Sequence, residues 1–187
     1  MTSGPTWLTR APSREVAVGA LLLRPYGPGD ADELSRAIGD NIEHLSPWME
    51  WIADEPLGTE ARSRFIAACA EDWDDKRNFM YGIFDSDRLI GGTGLHLRGE
   101  AGSMEIGYWV DLGHTRRGIA TAVTQALVEQ ALAIAEVEVV RIAHEPNNTA
   151  SARIPEKLGF TRVASGGDAR CNVVWELRRH GARAGRD

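Results

Sequence analysis

Two arginines and a glycine lie where a predicted strand gives way to a predicted helix. Residues 104–111 are apolar and aromatic with period-two alternation, which predicts a strand. From Ile119 onward the apolar residues recur at helical spacing, which predicts a helix of roughly 18 residues. The loop between them contains Arg116, Arg117 and Gly118. Because the first N–H groups of a helix have no partner inside it, this loop is a candidate phosphate site, although an ordinary junction with solvated arginines has the same composition.

A second group with chemical potential is a pair of tryptophans, Trp48 and Trp51. Pro47 suits the first turn of a short helix with Ser46 as its cap, and residues three apart share a helical face. The pair then forms either an aromatic wall for a ligand or part of the core. Both readings are open at this point.

The order of the elements predicts one mixed α/β domain with mainly antiparallel strand pairing. We assign residues 1–13 to a loose leader, 14–179 to the domain and 180–187 to a loose, arginine-rich tail. Predicted strands cover residues 16–24, 79–85, 88–98, 104–111, 137–143, 160–164 and 171–178. Predicted helices cover residues 59–75 and 150–158, in addition to one ending near residue 38, the short one at Pro47 and the one from Ile119.

Composition excludes several classes of protein. The chain has 187 residues, 43% of them hydrophobic and 26% charged, which is typical of a globular domain. A net charge of −6 argues against a general nucleic-acid binder.

The sequence also predicts where the protein lies in the cell. No apolar run approaches membrane-spanning length, and two distant cysteines fit a reducing cytoplasm, so we expect a cytoplasmic protein without membrane contact. The cysteines lack metal-ligand spacing and Asp72, Asp74 and Asp75 resemble a solvated helix end, so no metal is expected.

A further motif sharpens the assignment. Asn148-x-x-Ser151 and Lys157-Leu-Gly-Phe160 follow the strand after the long helix. Together with Glu105-Ile-Gly-Tyr-Trp-Val110 and Arg117-Gly-Ile-Ala-Thr121, this pattern resembles the GNAT family of acyl-CoA N-acyltransferases, and within it the RimJ/RimL-type branch. The resemblance covers about residues 16–178. It implies a single GNAT-like α/β domain of the α+β type, with helices on both faces of a mixed sheet and a splayed central strand pair.

The resemblance also implies how acetyl-CoA would bind. The pyrophosphate would lie on the loop amides, and the pantetheine arm would pair with strand backbone like an added strand. An N–H at Val110 would donate to the thioester carbonyl. The residues implied to bind the cofactor are Trp109, Val110, Asp111, Arg116, Arg117, Gly118, Ile119, Ala120, Thr121 and Asn148. Thr115 departs from the family pattern, which usually has arginine or glutamine there, and this puts cofactor affinity in question.

Proton transfers need two further groups. Glu105 is near the position of the family's base, working through a water, and its alternative role is an ion pair with a residue such as Arg98. His96 on the neighbouring strand is the second candidate base, although a lone strand histidine is more often structural. Asp168 in the last hairpin is the third. Ser151 is the candidate acid for the thiolate leaving group, with a simple backbone hydrogen bond as its alternative role.

We therefore predict an enzyme that moves acetyl from acetyl-CoA to a primary amine by direct attack, because neither motif contains a cysteine nucleophile. The acceptor is a protein N-terminus, a small amine such as an antibiotic, or an aminoacyl nucleotide, whose base an indole would stack on. The alternative is a CoA-binding regulatory module without catalysis. A homodimer through the last strand and Trp175 is also possible. Predicted acceptor contacts are Trp48, Trp51 and Tyr108.

Overall fold

A computed structural model describes residues 7–163 and 173–179 of the chain. These residues form eight strands and five α-helices, joined by short 3-10 helices. The strands are β1 (Val16–Val18), β2 (Leu21–Arg24), β3 (Asn78–Asp85), β4 (Arg88–His96), β5 (Ser103–Val110), β6 (Val139–His144), β7 (Thr161–Val163) and β8 (Val173–Arg178). The helices are α1 (Ala31–Gly39), α2 (Ile42–Leu45), α3 (Thr59–Asp74), α4 (Ile119–Leu132) and α5 (Thr149–Lys157).

All eight strands belong to one sheet, in the order β1-β2-β3-β4-β5-β6-β8-β7. Every neighbouring pair is antiparallel except β5 and β6, which run parallel at the centre. A parallel pair needs a crossover connection, and α4 supplies it between these two strands. The predicted mixed, mostly antiparallel α/β domain is confirmed.

Helices cover both faces of the sheet, as predicted, and the central strands are therefore buried on both sides. On one face α4 packs against β4, β5 and β6, and its Val123 and Leu127 join the larger core cluster. On the other face α1, α2 and α3 enclose a second cluster with Leu34 and Ile66, which also contains Trp109 from β5. Side chains of successive β5 residues therefore enter different layers.

Most predicted elements match the structure to within about two residues, and three differ by more. Strand 16–24 is a hairpin of two strands, because Gly19 has a φ of +61° and allows a tight turn. Pro47 does not begin a helix, since the Ser46 N–H donates to the Ile42 carbonyl and Ser46 ends α2. Helix α4 has 14 residues, because the Ile134 N–H bonds the carbonyl three residues back and turns the chain toward β6.

Two features concern the ends of the domain. The described part of the leader, predicted to be loose, packs against the domain, with Leu8 buried in the core and the Ser13 carbonyl accepting from the Tyr81 hydroxyl. The last strand, β8, lies between β6 and β7, and a homodimer through it stays a prediction. Its Trp175 donates its indole N–H to His144. None of the described helices is both long and apolar enough to cross a membrane.

A buried ion pair anchors the segment between α2 and α3. Arg62 on α3 and Glu55 approach to 2.7 Å, and their side chains are 3% and 4% exposed. Arg62 also donates to the Ser35 hydroxyl on α1, while Glu55 accepts from the Leu57 N–H. Removing one partner of such a pair leaves a buried charge, so this cluster holds the segment firmly against α1 and α3.

Candidate active site

Strands β5 and β6 separate at the centre of the sheet. Their pairing covers only Ser103 to Glu105 on β5 and Val139 to Arg141 on β6, although both strands continue beyond it. The Asp111 N–H donates to the carbonyl of Ile90 on β4. Because successive N–H groups of a strand point to opposite sides, the Val110 N–H points away from β4 and into the gap. The predicted splayed pair is therefore confirmed.

The loop at the open end of this gap presents backbone N–H groups. Arg116 and Gly118 have positive φ angles of +61° and +79°, and Gly118 caps α4. The first hydrogen bond of the helix runs from the Ala122 N–H to the Gly118 carbonyl, so residues 119–121 have no partner inside the helix for their N–H groups. Arg116 and Arg117 are exposed beside them. This geometry fits an anion such as a pyrophosphate.

Thr115, the departure from the family pattern, has a structural contact in this loop. Its hydroxyl donates to the Leu112 carbonyl at 2.9 Å and closes the short 3-10 turn after β5. The side chain thus shapes the loop, and the two arginines next to it are the cationic groups at the site.

A buried network joins this loop to the helices on the opposite face. Asn41, between α1 and α2, donates its amide to Asp111 at 2.9 Å and accepts from the Leu112 N–H at 2.8 Å. Asp111 also accepts from Gly113 and from His114. Burial alone would raise the pKa of Asp111, but these hydrogen bonds outweigh it and hold that pKa below its usual value. The Asp111 side chain, predicted to contact the cofactor, therefore orders the loop.

The odd-numbered residues of β5 face the layer of α1–α3, and Glu105 is among them. The Glu105 carboxylate contacts Arg98 at 2.8 Å and is 21% exposed. Gly107 and Trp109 follow on the same face, and His96 pairs with Glu105 across β4 and β5. The structure therefore brings together both predicted bases, Glu105 and His96. The ion pair considered as the alternative role of Glu105 is present.

His96 is oriented by a hydrogen-bonded chain. The Asn78 amide donates to Asp72, which directs the Asn78 oxygen toward His96 Nδ1 at 3.3 Å. The proton is then assigned to Nδ1, which leaves Nε2 unprotonated above Gly94 and Gly107. Burial, aided by the nearby Arg98 charge, lowers the pKa of His96 to about 4. His96 is thus neutral at pH 7 and a weak proton acceptor.

The even-numbered residues face α4 and α5, where Tyr108 meets Ser151. The Tyr108 hydroxyl lies 2.8 Å from Ser151 Oγ, and the Ser151 N–H donates to the Asn148 side chain, which caps α5. Burial raises the pKa of Tyr108 to about 12, so the phenol keeps its proton. Tyr108, predicted as an acceptor contact, lies on the opposite face from Glu105. The sequence pattern gave no sign of its contact with Ser151, because the two residues lie 43 positions apart.

The remaining predicted residues have varied positions. Trp48 lies in a turn and Trp51 in the 3-10 helix Glu50–Asp54, and both are exposed, at 39% and 42%. Because their side chains are exposed, these two tryptophans are not core residues. Asp168, the third candidate base, lies outside the described residues. Among the residues that are described, no histidines, cysteines and acids group as a metal site would require.

Comparison with known proteins agrees with this geometry. The Acetyltransferase (GNAT) domain family matches residues 20–161. The chain belongs to this family. It is therefore a GNAT-type N-acetyltransferase, and the predicted acyltransferase activity is confirmed.

Individual relatives support the family assignment. The chain is 29% identical to a probable N-acetyltransferase, YjcK, from Bacillus subtilis, over 83% of this chain and 89% of the relative. It is 28% identical to the putative ribosomal N-acetyltransferase YdaF of the same organism, over 75% and 77%. The fold matches that of RimL, a ribosomal L7/L12 alpha-N-protein acetyltransferase in complex with coenzyme A, with a TM-score of 0.78, 20% identity and coverage of 88% and 97%.

The Asn41 network predicts a measurable effect on cofactor binding by this GNAT domain. Asn41→Ala leaves Asp111 without one donor and the Leu112 N–H without its acceptor, which disorders the loop. We expect the Kd for coenzyme A, measured by calorimetry, to rise about tenfold, and the free energy of unfolding to fall by roughly 2 kcal/mol. Gln125→Ala, which removes an exposed amide from α4, serves as the control and changes neither value. An unaltered Kd in Asn41→Ala would show that the loop is ordered without Asn41.

Proposed function

We propose that this protein transfers acetyl from acetyl-CoA to the amine of a polypeptide N-terminus, by direct attack without an acetylated enzyme. The observation that carries the proposal is the gap between β5 and β6, with the Val110 N–H directed into it and the N-terminus of α4 at its open end. An arm with amide groups can pair with β5 there, and a pyrophosphate can lie on the loop amides. The similarity to YdaF, a putative ribosomal N-acetyltransferase, supports a protein acceptor.

The residues present fit acetyl-CoA. The N–H groups of Ile119, Ala120 and Thr121, with Gly118 and the guanidinium groups of Arg116 and Arg117, would hold the pyrophosphate. Backbone at Trp109–Asp111 would hold the pantetheine arm, and Asn148 would orient α5 beside it. When bound, acetyl-CoA supplies an activated thioester. The Val110 N–H would donate to its carbonyl oxygen and stabilise negative charge there.

Direct attack requires that the acceptor amine lose a proton, and Glu105 is our candidate base. It lies on the face of β5 opposite α4, beside the glycine surface formed by Gly94 and Gly107, where an amine can approach the gap. A covalent route through a cysteine is disfavoured at Cys69. Burial, followed by the charge of Asp72, raises the pKa of this thiol to about 11, so it is not a thiolate at neutral pH.

Kinetics of two variants test the base. Glu105→Gln keeps the size of the side chain but cannot accept a proton, so we expect kcat/KM for a peptide acceptor to fall roughly 100-fold between about pH 6 and pH 9. His96→Gln should keep most of its kcat/KM in this range, because a group with a pKa of about 4 is a weak proton acceptor. Glu100→Gln, in the exposed turn before β5, is the control.

A roughly 100-fold loss of kcat/KM in His96→Gln, with an unchanged kcat/KM in Glu105→Gln, would reverse the two roles. An unchanged kcat/KM in both would transfer the role to Asp168, for which Asp168→Asn is the direct test. Saturable coenzyme A binding without turnover on a broad panel of amines would instead support the non-catalytic module.

Ser151 is our candidate proton donor to the leaving thiolate, with Tyr108 behind it. The protonated phenol can donate to Ser151 Oγ, which frees the serine proton for the sulfur. Tyr108 lies on β5, and a single hydrogen bond joins it to Ser151 on α5. The buried position of Tyr108 keeps it protonated throughout the neutral range.

Removing this donor should slow turnover without weakening cofactor binding. We expect Ser151→Ala to lower kcat roughly 100-fold and Tyr108→Phe about tenfold, with the Kd for coenzyme A unchanged in both. Thr149→Ala removes an exposed hydroxyl from the first turn of the same helix and is the control. If Ser151→Ala retains its kcat, the thiolate leaves without help from this residue.

A further inference from the structure

The segment from Asp40 to Glu60 combines acidic charge with exposed aromatic rings. It contains six acidic residues and neither lysine nor arginine, in a chain that has 21 of these basic residues. Trp48 and Trp51 lie in its middle and are among the large apolar side chains exposed on the described surface. We refer to residues 40–60 as the acidic segment.

Part of this negative charge forms no ion pair with the residues that the structure describes. Asp40, Glu55 and Glu60 form ion pairs with Arg36, Arg62 and Arg64 on the flanking helices. Glu43 on α2 and Asp54 at the end of the 3-10 helix are exposed, and no cationic side chain among the described residues forms an ion pair with either. These two carboxylates are available to a cationic partner.

The acidic segment lies at the acceptor side of the active site. Its buried residues Leu45 and Ile52 pack in the same cluster as Trp109, whose side chain lies on the Glu105 face of β5. Its first turn includes Asn41, which contacts Asp111 and Leu112 at the open end of the gap. The segment therefore borders the same side of β5 as Glu105, at the end of the strand near Trp109, and a polypeptide whose N-terminus reaches Glu105 can extend along this side to the segment.

We propose that the acidic segment binds the polypeptide acceptor through lysine or arginine side chains that follow its acetylated N-terminus. Carboxylates attract these cations, and the faces of Trp48 and Trp51 bind them by cation–π contact. A small monoamine has only its reacting nitrogen, which cannot reach Glu105 and the segment together, whereas a basic polypeptide offers separate groups to each. The acidic segment repels the phosphates of a nucleotide-linked acceptor. This inference rests on the proposed function and adds the class of acceptor.

Two matched peptides test the inference. They share the first two residues and differ only in carrying lysine or glutamate at the fourth and sixth positions. Each exposed ion pair strengthens binding a few-fold. Two such pairs therefore predict that the wild-type kcat/KM is about tenfold higher for the basic peptide than for the acidic one. This preference should shrink toward unity in high salt, because screening weakens contacts between exposed charges.

Variants locate the effect on the surface. The double variant Glu43→Gln/Asp54→Asn should lose most of the preference for the basic peptide while its kcat/KM for the acidic peptide does not fall. Trp48→Leu/Trp51→Leu should lower kcat/KM for the basic peptide several-fold more than for the acidic one. Glu129→Gln/Glu138→Gln makes the same charge change on α4 and just before β6, and it should keep the full preference.

Equal kcat/KM for the two peptides, or a preference that survives in Glu43→Gln/Asp54→Asn, overturns the inference. A small polyamine or an aminoacyl nucleotide that is acetylated far better than either peptide also overturns it. Peptide binding is followed in parallel by tryptophan fluorescence. A protein that binds the basic peptide selectively but acetylates neither peptide would support the acidic segment as a docking surface and contradict the proposed function.

Discussion

The end of hydrogen bonding between β5 and β6 is the constraint on which the rest of the site depends. Each strand stays paired on its outer side, β5 with β4 and β6 with β8. The backbone groups of β5 beyond Glu105 that face β6 therefore need another partner, since strand N–H and carbonyl groups rarely stay unpaired away from water. A cofactor arm with its own amides would satisfy them, which is why we propose the gap as the binding site of that arm.

Two layers of helices give the two sides of this gap different chemistry. The period of two along β5 directs Tyr108 toward α5 and Ser151, and Glu105 toward the layer of α1–α3. One strand thus separates the proposed proton donor for the leaving group from the proposed proton acceptor for the amine. Asn41 ties the helices on the Glu105 side to the loop that would hold the pyrophosphate, so one buried polar network links the two sides of the proposed site.

Much of this arrangement could be predicted from local pattern. Alternation along residues 104–111 and the helical period after Ile119 placed β5, α4 and the loop between them, because those signals depend on near neighbours in the chain. The contacts of Asn41 with Asp111 and of Asn78 with His96 could not be predicted, since each joins residues far apart in sequence. The segment around Pro47 was assigned wrongly because proline suits both the start of a helix and the turn after one.

Protection of one backbone amide tests the central claim most directly. Hydrogen exchange of the Val110 N–H, followed by NMR with and without saturating coenzyme A, reports whether the gap holds the cofactor arm. We expect this amide and those of residues 119–121 to exchange more slowly in the complex. The neighbouring Asp111 N–H, already bonded to Ile90, should change little. Protection of residues 119–121 with an unchanged rate at Val110 would show that the cofactor arm does not pair with β5 in the gap.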